Sequence, residues 1–321
     1  MGCCDTSNKK AKNPPQGPFS EEYNLQNNID IEIGLSLLAW EDNQVLENKL
    51  LSKKLPIIFE SSEDEYKSLN QKLAHCTNNN YLISYKIKNK INPFKNKIEN
   101  QEFLKTYKKN YIFWIERMEK IKLNEFLNFY NKKYTENEKP LIGIYSDNLN
   151  EIQNFNEELK SHNLKLQVVE NHFSLLYRQS DESGILEYCK KNNIFFFADN
   201  ALEGGALSGK YNSQNLMPKD SKEGNIFNPQ IEKIDSSNGE LQGLAKKRNA
   251  KISQIPISWI IQQNAIPIIK VNEVENNNEI NELIKAGDIN LEESEMAGLE
   301  RNIDMCNIDV NSSLKKEINK Y

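Results

Sequence analysis

The sequence has few of the residues that mark secreted, metal-binding or nucleic-acid-binding proteins. It contains five cysteines and three histidines among 321 residues, and no Cys-x-x-Cys pair. The cysteines therefore predict neither a disulfide framework nor a metal site, and they favour a reducing compartment. The net charge of -5 leaves no excess of basic residues, which argues against a nucleic-acid partner.

Long apolar runs are also missing. No run approaches the roughly 20 apolar residues that a membrane-spanning helix needs, and the first residues carry no apolar signal core, so we expect no secretion. Apolar residues nevertheless make up 38% of the chain, enough for a sizeable core. The length suits one large barrel or two ordinary domains.

The first six residues, Met1-Gly2-Cys3-Cys4-Asp5-Thr6, fit the pattern for N-myristoylation. Gly2 is the predicted acceptor, and Cys3 and Cys4 are the predicted palmitoylation sites. A single myristoyl chain binds a membrane only marginally, whereas a second acyl chain makes a stable anchor. We therefore predict a lipidated flexible tether over residues 1–30. The alternative is a short disordered tail in which these residues are incidental.

Apolar strand-like segments alternate with segments of helical periodicity from about residue 31 onwards. Such alternation predicts a parallel sheet, and eight pairs at this length favour a closed (β/α)8 barrel over an open sheet. We predict the barrel over residues 31–305, a long loop from Leu207 to about Ser236, and a frayed polar tail over residues 306–321. The predicted strands are Ile31–Trp40, Leu55–Phe59, Tyr81–Ile87, Tyr111–Ile115, Leu141–Tyr145, Leu164–Val169, Phe195–Ala198 and Ala265–Val271.

The stretch from Phe173 to Tyr211 holds several motifs in order. Phe173-Ser174-Leu175-Leu176-Tyr177-Arg178 ends a strand, Phe195-Phe196-Phe197-Ala198 is an apolar strand, and Leu207-Ser208-Gly209-Lys210-Tyr211 follows Gly204-Gly205. This arrangement resembles the sixth and seventh βα units of the aldo-keto reductases, NADPH-dependent oxidoreductases with a TIM barrel. The resemblance implies an α/β fold of aldo-keto reductase type and places its chemistry at the carboxyl ends of the strands.

The resemblance implies a catalytic tetrad in which most positions are substituted. Glu60 stands where the family has Asp, Lys86 is at the catalytic lysine position, and Glu116 stands where the family has His. Tyr66 lies one residue after the position of the catalytic Tyr, which carries Glu65. The alternatives are an exposed first helical turn for Glu65 and Tyr66 and a solvated strand-end lysine for Lys86.

The cofactor positions implied by the resemblance also depart from the family. Tyr145 and Ser146 occupy the Ser and Asn positions beside the nicotinamide carboxamide, and Glu170 replaces a Gln that donates to it. Asp199 replaces the aromatic residue that stacks on the nicotinamide. Glu203 replaces a glycine of the phosphate loop. The remaining candidates for binding the dinucleotide are Lys210 and Lys270, which are alternatively plain surface lysines, and Glu279 near the adenine.

These substitutions lead to two readings of function. The first is a membrane-anchored barrel with impaired or lost reductase activity that serves as a binding or scaffold protein, a pseudoenzyme. The second is an active NADPH-dependent carbonyl or double-bond oxidoreductase that uses Tyr66 as acid. The expected cofactor is NADPH if the barrel is active, and the alternative is that the protein binds no cofactor. We expect the protein at the cytoplasmic face of a membrane, with the membrane surface and an unnamed protein as partners, and we expect no metal.

Overall fold

The computed structural model describes residues 34–36, 57–61, 81–87, 111–115, 120–134, 139–270 and 277–310. Eight parallel strands follow one another in sequence order, and the eighth pairs with the first to close a barrel. This confirms the predicted fold class. The strands are β1 (Gly34–Ser36), β2 (Ile57–Ser61), β3 (Tyr81–Ile87), β4 (Tyr111–Ile115), β5 (Leu141–Tyr145), β6 (Val168–His172), β7 (Phe195–Asp199) and β8 (Ile266–Lys270).

Helices surround this barrel wherever the chain is described between β4 and residue 310. The α-helices are α1 (Lys120–Lys133), α2 (Leu149–Ser161), α3 (Gln179–Glu182), α4 (Ile185–Lys191), α5 (Lys222–Phe227), α6 (Ile231–Lys247), α7 (Gln254–Gln262), α8 (Asn277–Ile284) and α9 (Glu293–Cys306). Short 3-10 turns span Glu203–Ser208, Asn228–Gln230 and Lys285–Asp288. Apolar periodicity in the sequence also predicts helices over Asp42–Lys54 and Glu65–His75, and both ranges lie outside the described residues.

The interior of the barrel is filled by one cluster of large apolar side chains. Trp114 is its largest member, and the register places Gly143 directly beside it. A Cβ atom on Gly143 would lie 2.6 Å from the indole, so only glycine leaves room for this ring. The described members of the cluster are Ile112, Trp114, Leu141, Val168, Phe195, Phe197, Ile266 and Ile268.

A second core lies between the strands and the helices. Alternate strand residues such as Ile142 and Ile144 face it, as period-two alternation requires. Phe173 connects β6 to this layer by stacking on Trp259 of α7 with ring centroids 5.3 Å apart. Barrel interior and outer layer together fix the carboxyl ends of β5 to β7, where the candidate site lies.

The segment after β7 corrects one prediction. The long loop predicted from Leu207 to about Ser236 contains α5 and the start of α6. The loop was predicted from Gly209, Pro218 and Gly224, but Gly224 lies within α5, because tertiary packing overrides its low helix propensity. Met217, Phe227 and Ile234 are buried in a third apolar cluster that this packing forms.

The start of the predicted tail also packs against this segment, whereas a frayed tail was expected. Val310 is buried in the third cluster. The Gln230 side chain forms two hydrogen bonds with the backbone of Asp309, one as donor and one as acceptor, each at 2.9 Å. Lys233 donates to the carbonyl of Asn307 at 2.6 Å. Residues 307–310 are therefore fixed to α6 and the turn before it.

Within the described part of the chain, no helix combines the length and the apolar character needed to cross a bilayer.

Candidate functional site

Polar side chains replace apolar ones at the carboxyl end of the barrel interior. Along β6 and β7, Glu170 and Asp199 each lie two residues after an apolar interior position, and Tyr145 of β5 lies two residues after Gly143, which packs against Trp114 in the interior. The register pairs Tyr145 with Glu170, and His172 with Asp199. Glu170 is buried, whereas Tyr145 is 43% exposed. The site predicted from β5 to β7 is therefore assembled at one end of the barrel.

The phenol of Tyr145 lies in an acidic environment. Its pKa is raised above the usual range by partial burial and by the negative charges of Asp199, Glu170 and Asp147, with a further contribution from Tyr177. Nearby carboxylates disfavour the phenolate, so Tyr145 stays protonated and is a weaker acid than a free tyrosine. This is the opposite of the tuning that a proton donor to an alkoxide requires.

The hydroxyl of Ser146 forms its hydrogen bonds with residues at the start of α2. It donates to Oε2 of Glu151 at 2.6 Å and accepts from the amide N–H of Asn148 at 3.1 Å. Its carbonyl oxygen accepts from the side-chain amide of the buried Asn171 at 3.1 Å. Ser146 is thus buried and hydrogen-bonded within the protein, at the position predicted to bind the nicotinamide carboxamide.

The acidic residue of the loop after β7 turns inward. Oε1 of Glu203 lies 2.6 Å from Nε2 of His172, and the same oxygen accepts a short hydrogen bond from the hydroxyl of Ser174. The side chains of His172 and Glu203 are 8% and 5% exposed. The imidazole stacks on the ring of Tyr177, with centroids 4.4 Å apart. These residues form the Glu203 cluster, which consists of Glu203, His172, Ser174 and Tyr177.

The glycines of the same loop are covered by side chains of the protein itself. A Cβ atom on Gly204 would lie 2.2 Å from Cγ of Glu223, which reaches over the loop from α5. A Cβ atom on Gly205 would lie 2.9 Å from the ring of Tyr211. The space that glycine leaves beside a backbone is therefore filled here by Glu223 and Tyr211.

Two of the predicted tetrad residues fall at equivalent places in adjacent strands. Glu60 is the penultimate residue of β2 and Lys86 the penultimate residue of β3. The register pairs Glu60 with Ser84, and Lys86 with Trp114. Lys270 is the last residue of β8.

The other predicted site residues are distributed as follows. The ammonium of Lys210 lies 5.4 Å from the ring centroid of Tyr211, and Glu279 is in the first turn of α8. The predicted site residues that lie outside the described part of the chain are Tyr66, Glu116, Gly2, Cys3 and Cys4.

Sequence reasoning missed His172, Ser174, Glu223 and Tyr211 as parts of the site. A signal for His172 was present, since it lies two residues after Glu170 on the same face of β6. No signal in the sequence links it to Glu203, which is 31 residues away. Glu223 lies in the segment predicted to be loop, so its contact with Gly204 was not foreseeable.

Comparison with known families decides the identity of the barrel. The model of the aldo/keto reductase family matches residues 139–304, which is more than half of the 321 residues. The chain belongs to the aldo/keto reductase family. This confirms the resemblance drawn from the sequence, and it makes NADP(H) the cofactor that the family implies.

Similar curated proteins are oxidoreductases of this family. An aldo-keto reductase of Fusarium vanettenii is 25% identical over 109 residues, covering 33% of this chain and 29% of that protein. L-glyceraldehyde 3-phosphate reductase of Escherichia coli is 27% identical over 138 residues, covering 40% of this chain and 39% of that protein. The chain thus matches less than half the length of these curated relatives.

Solved structures share the fold at low identity. A glycerol dehydrogenase from Gluconobacter oxydans has a TM-score of 0.65 and 15% identity, covering 87% of this chain and 93% of that one. An aldo-keto reductase complexed with NADPH has a TM-score of 0.56 and 13% identity, covering 84% of both chains. A thermostable aldo-keto reductase in complex with epalrestat has a TM-score of 0.56 and 16% identity, covering 81% of this chain and 86% of that one.

The described residues at the positions that the resemblance predicts for the dinucleotide fit NADPH poorly at both of its ends. At the nicotinamide end, the Ser146 hydroxyl already donates its hydrogen bond to Glu151, and an ionised Glu170 cannot donate a hydrogen bond to a carboxamide. At the phosphate end, a buried carboxylate lies in the glycine loop, and Glu223 and Tyr211 cover its glycines. These residues therefore do not present the hydrogen-bond donors that an anionic dinucleotide needs.

Proposed function

We propose that this protein is a membrane-anchored barrel of the aldo/keto reductase family whose reductase activity is impaired or lost and which acts as a binding or scaffold protein. The observation that carries the proposal is the acidic nicotinamide end. There burial and the negative charges of Asp199, Glu170 and Asp147 raise the pKa of the Tyr145 phenol. The Ser146 hydroxyl at the same end donates a hydrogen bond to Glu151.

The electrostatics of this end oppose productive binding of the reduced cofactor. Carboxylates beside a nicotinamide ring favour the oxidised, cationic form over the neutral reduced form. Asp199 also offers no aromatic face, and the loss of ring stacking removes roughly 0.5–1.5 kcal/mol. Both effects therefore weaken binding of the reduced cofactor: the lost stacking lowers its affinity, and the carboxylates favour NADP+ over NADPH in the site.

The test is a titration of the full-length protein with NADPH, followed by quenching of tryptophan fluorescence. We expect no saturable binding at micromolar concentrations. The matched control is the double variant Glu170→Gln/Asp199→Tyr, which restores an amide donor and an aromatic face. It should bind NADPH about tenfold or more tightly than the wild type. Micromolar binding by the wild type would refute the loss of cofactor use.

A second candidate, an active NADPH-dependent carbonyl or double-bond oxidoreductase, is favoured by one observation. Glu60 and Lys86 are both one residue from the carboxyl ends of adjacent strands, where barrel enzymes hold their catalytic groups. In this reading Tyr66 is the acid, Lys86 tunes its pKa and Glu116 polarises the substrate. Oxidation of NADPH in the presence of carbonyl substrates, abolished by Lys86→Met, would support it over the first proposal.

The membrane anchor is proposed from the sequence of the N-terminus. Myristoylation at Gly2 and palmitoylation at Cys3 and Cys4 would together hold the barrel at the cytoplasmic face of a membrane. Gly2→Ala should move the protein to the soluble fraction, and a Cys3→Ser/Cys4→Ser variant should show weak, reversible binding. A Gly2→Ala protein that remains fully with the membrane fraction would contradict the anchor.

A further inference from the structure

We propose that the loop after β7 carries its own anionic ligand: the Glu203 carboxylate fills the position of an external oxyanion, held by His172 and Ser174. The inference rests on the proposed function and deepens it, because it names the group that closes this end of the barrel to phosphates. Removing the Glu203 carboxylate should therefore create a binding site for a small oxyanion.

The contacts within the Glu203 cluster are those of an anion-binding site. An ionised carboxylate only accepts hydrogen bonds, so Nε2 of His172 carries the hydrogen in the 2.6 Å contact. The Ser174 hydroxyl donates to the same oxygen. Ser174 is itself oriented by the amide N–H groups of Leu176 and Tyr177, which donate to its Oγ at 3.2 and 3.0 Å.

These contacts take place away from water. Both side chains of the His172–Glu203 pair are nearly buried, and Ser174 is fully buried. Hydrogen bonds to a charged group are shorter and stronger than neutral ones, and a low local dielectric strengthens them further. The donors are thus placed to hold a negative charge, whichever molecule supplies it.

The backbone at Glu203 supports a ligand role for its side chain. Glu203 has a φ of 52°, in the left-handed region that glycine adopts without strain, and Gly204 and Gly205 follow with φ of 60° and 96°. A residue with a Cβ atom is uncommon in this region. Its contacts with His172 and Ser174 compensate for the unfavourable conformation.

The arrangement does not form a nucleophilic triad. The carboxylate lies between the other two groups, and the Ser174 hydroxyl donates to Glu203, not to the imidazole. His172 is therefore not placed to remove a proton from Ser174, as a general base must be. Binding of charge accounts for this geometry better than covalent catalysis does.

Side chains from nearby segments also cover the outer face of the loop after β7. The aliphatic part of Glu223 lies against Gly204, and the Tyr211 ring lies against Gly205. A second carboxyl group is thus brought to the loop by α5. An external phosphate would have to displace Glu223 and Tyr211 in addition to the Glu203 carboxylate.

The experiment is anion rescue of a Glu203→Gly variant, followed by thermal unfolding. Glycine suits the φ of 52° and leaves the His172 N–H and the Ser174 hydroxyl without an acceptor. We expect sodium formate at about 100 mM to raise the Tm of this variant by about 2–4 °C over sodium chloride of equal ionic strength. Glu203→Gln keeps an oxygen acceptor in place, so it should show no formate dependence.

Two outcomes would overturn the proposal. One is a Glu203→Gly Tm that responds to formate no more than that of Glu203→Gln. The other needs no variant to fold: saturable stabilisation of the wild type by millimolar inorganic pyrophosphate would mean that the loop is open. These assays contain no nicotinamide, so they are independent of the NADPH titration. Formate rescue of Glu203→Gly together with micromolar NADPH binding by the wild type would refute only the proposed function. Absence of rescue together with absence of NADPH binding would refute only this proposal.

Discussion

Replacing Glu295 with glutamine should remove an electrostatic connection between α6 and α9. The Glu295 carboxylate accepts from Lys247 at 2.6 Å and forms a short ion pair with Arg248, both at the end of α6. Its other contact is the backbone N–H of Glu292, which donates at 2.9 Å and completes a capping box at the start of α9. Glutamine also suits this capping position, so the substitution tests the charge.

The magnitude follows from the pKa of the Glu295 carboxyl group. Desolvation opposes its ionisation, but the hydrogen bonds from Lys247, Glu292 and Arg248 outweigh this and lower the pKa from 4.5 to about 2. At about 1.4 kcal/mol per pKa unit the upper limit is about 3 kcal/mol. The Lys247 side chain is 62% exposed, and solvent screening reduces the expected loss at pH 7 to about 1–2 kcal/mol.

The pH dependence of this loss has a defined sign. Folding lowers the pKa of Glu295, so the folded state binds its proton more weakly than the unfolded state does. The stabilisation is therefore fully present above pH 4.5 and is lost as the pH falls through about 2. The difference between wild type and Glu295→Gln should shrink across this range.

Urea unfolding followed by circular dichroism from pH 7 down to about pH 3 measures this difference. Glu293→Gln is the control, because Glu293 is an exposed residue in the same first turn of α9; its effect should stay within about 0.5 kcal/mol. A Glu295→Gln difference that stays constant from pH 7 to pH 3 would show that the charge is not its source.

Two further substitutions test the barrel and the start of α2. Gly143→Ala should cost about 1–3 kcal/mol in the free energy of unfolding because its Cβ meets the Trp114 ring; combined with Trp114→Leu, the loss should be smaller than the sum of the two single losses, and an additive result would refute the clash. Asn148→Ala should cost about 1 kcal/mol, since the Asn148 side chain caps α2 by accepting from the amides of residues 150 and 151; an unchanged urea midpoint would refute the cap.

The strands were predictable wherever a short apolar run is bounded by polar residues. The predicted bounds of β3, β4 and β5 agree with the structure. The sixth strand, predicted at Leu164–Val169, is observed at Val168–His172. The shift arises because Glu170 and His172 break the apolar pattern although both are buried. Buried polar side chains occur here because this part of β6 contributes to the candidate site.

The candidate site was predictable in part. The resemblance located Ser146, Glu170 and Asp199 at strand ends. The structure places Asp199 at the last residue of β7 and Ser146 directly after β5, whereas Glu170 lies in the middle of β6. It did not reveal that Ser146 is bonded within the protein or that Glu203 turns toward His172. Those are contacts between segments distant in sequence, and their formation depends on three-dimensional packing that the order of residues does not display.

The pairing of Gln230 with the backbone of Asp309 holds residues 307–310 over an apolar cluster of the segment after β7. Val310 covers Met217 and Phe227 in one apolar cluster. A protein shortened to end at Cys306 would keep all eight strands, yet it would present that cluster to solvent and to other molecules. The segment after β7 is therefore covered by a residue nearly a hundred positions later in the sequence.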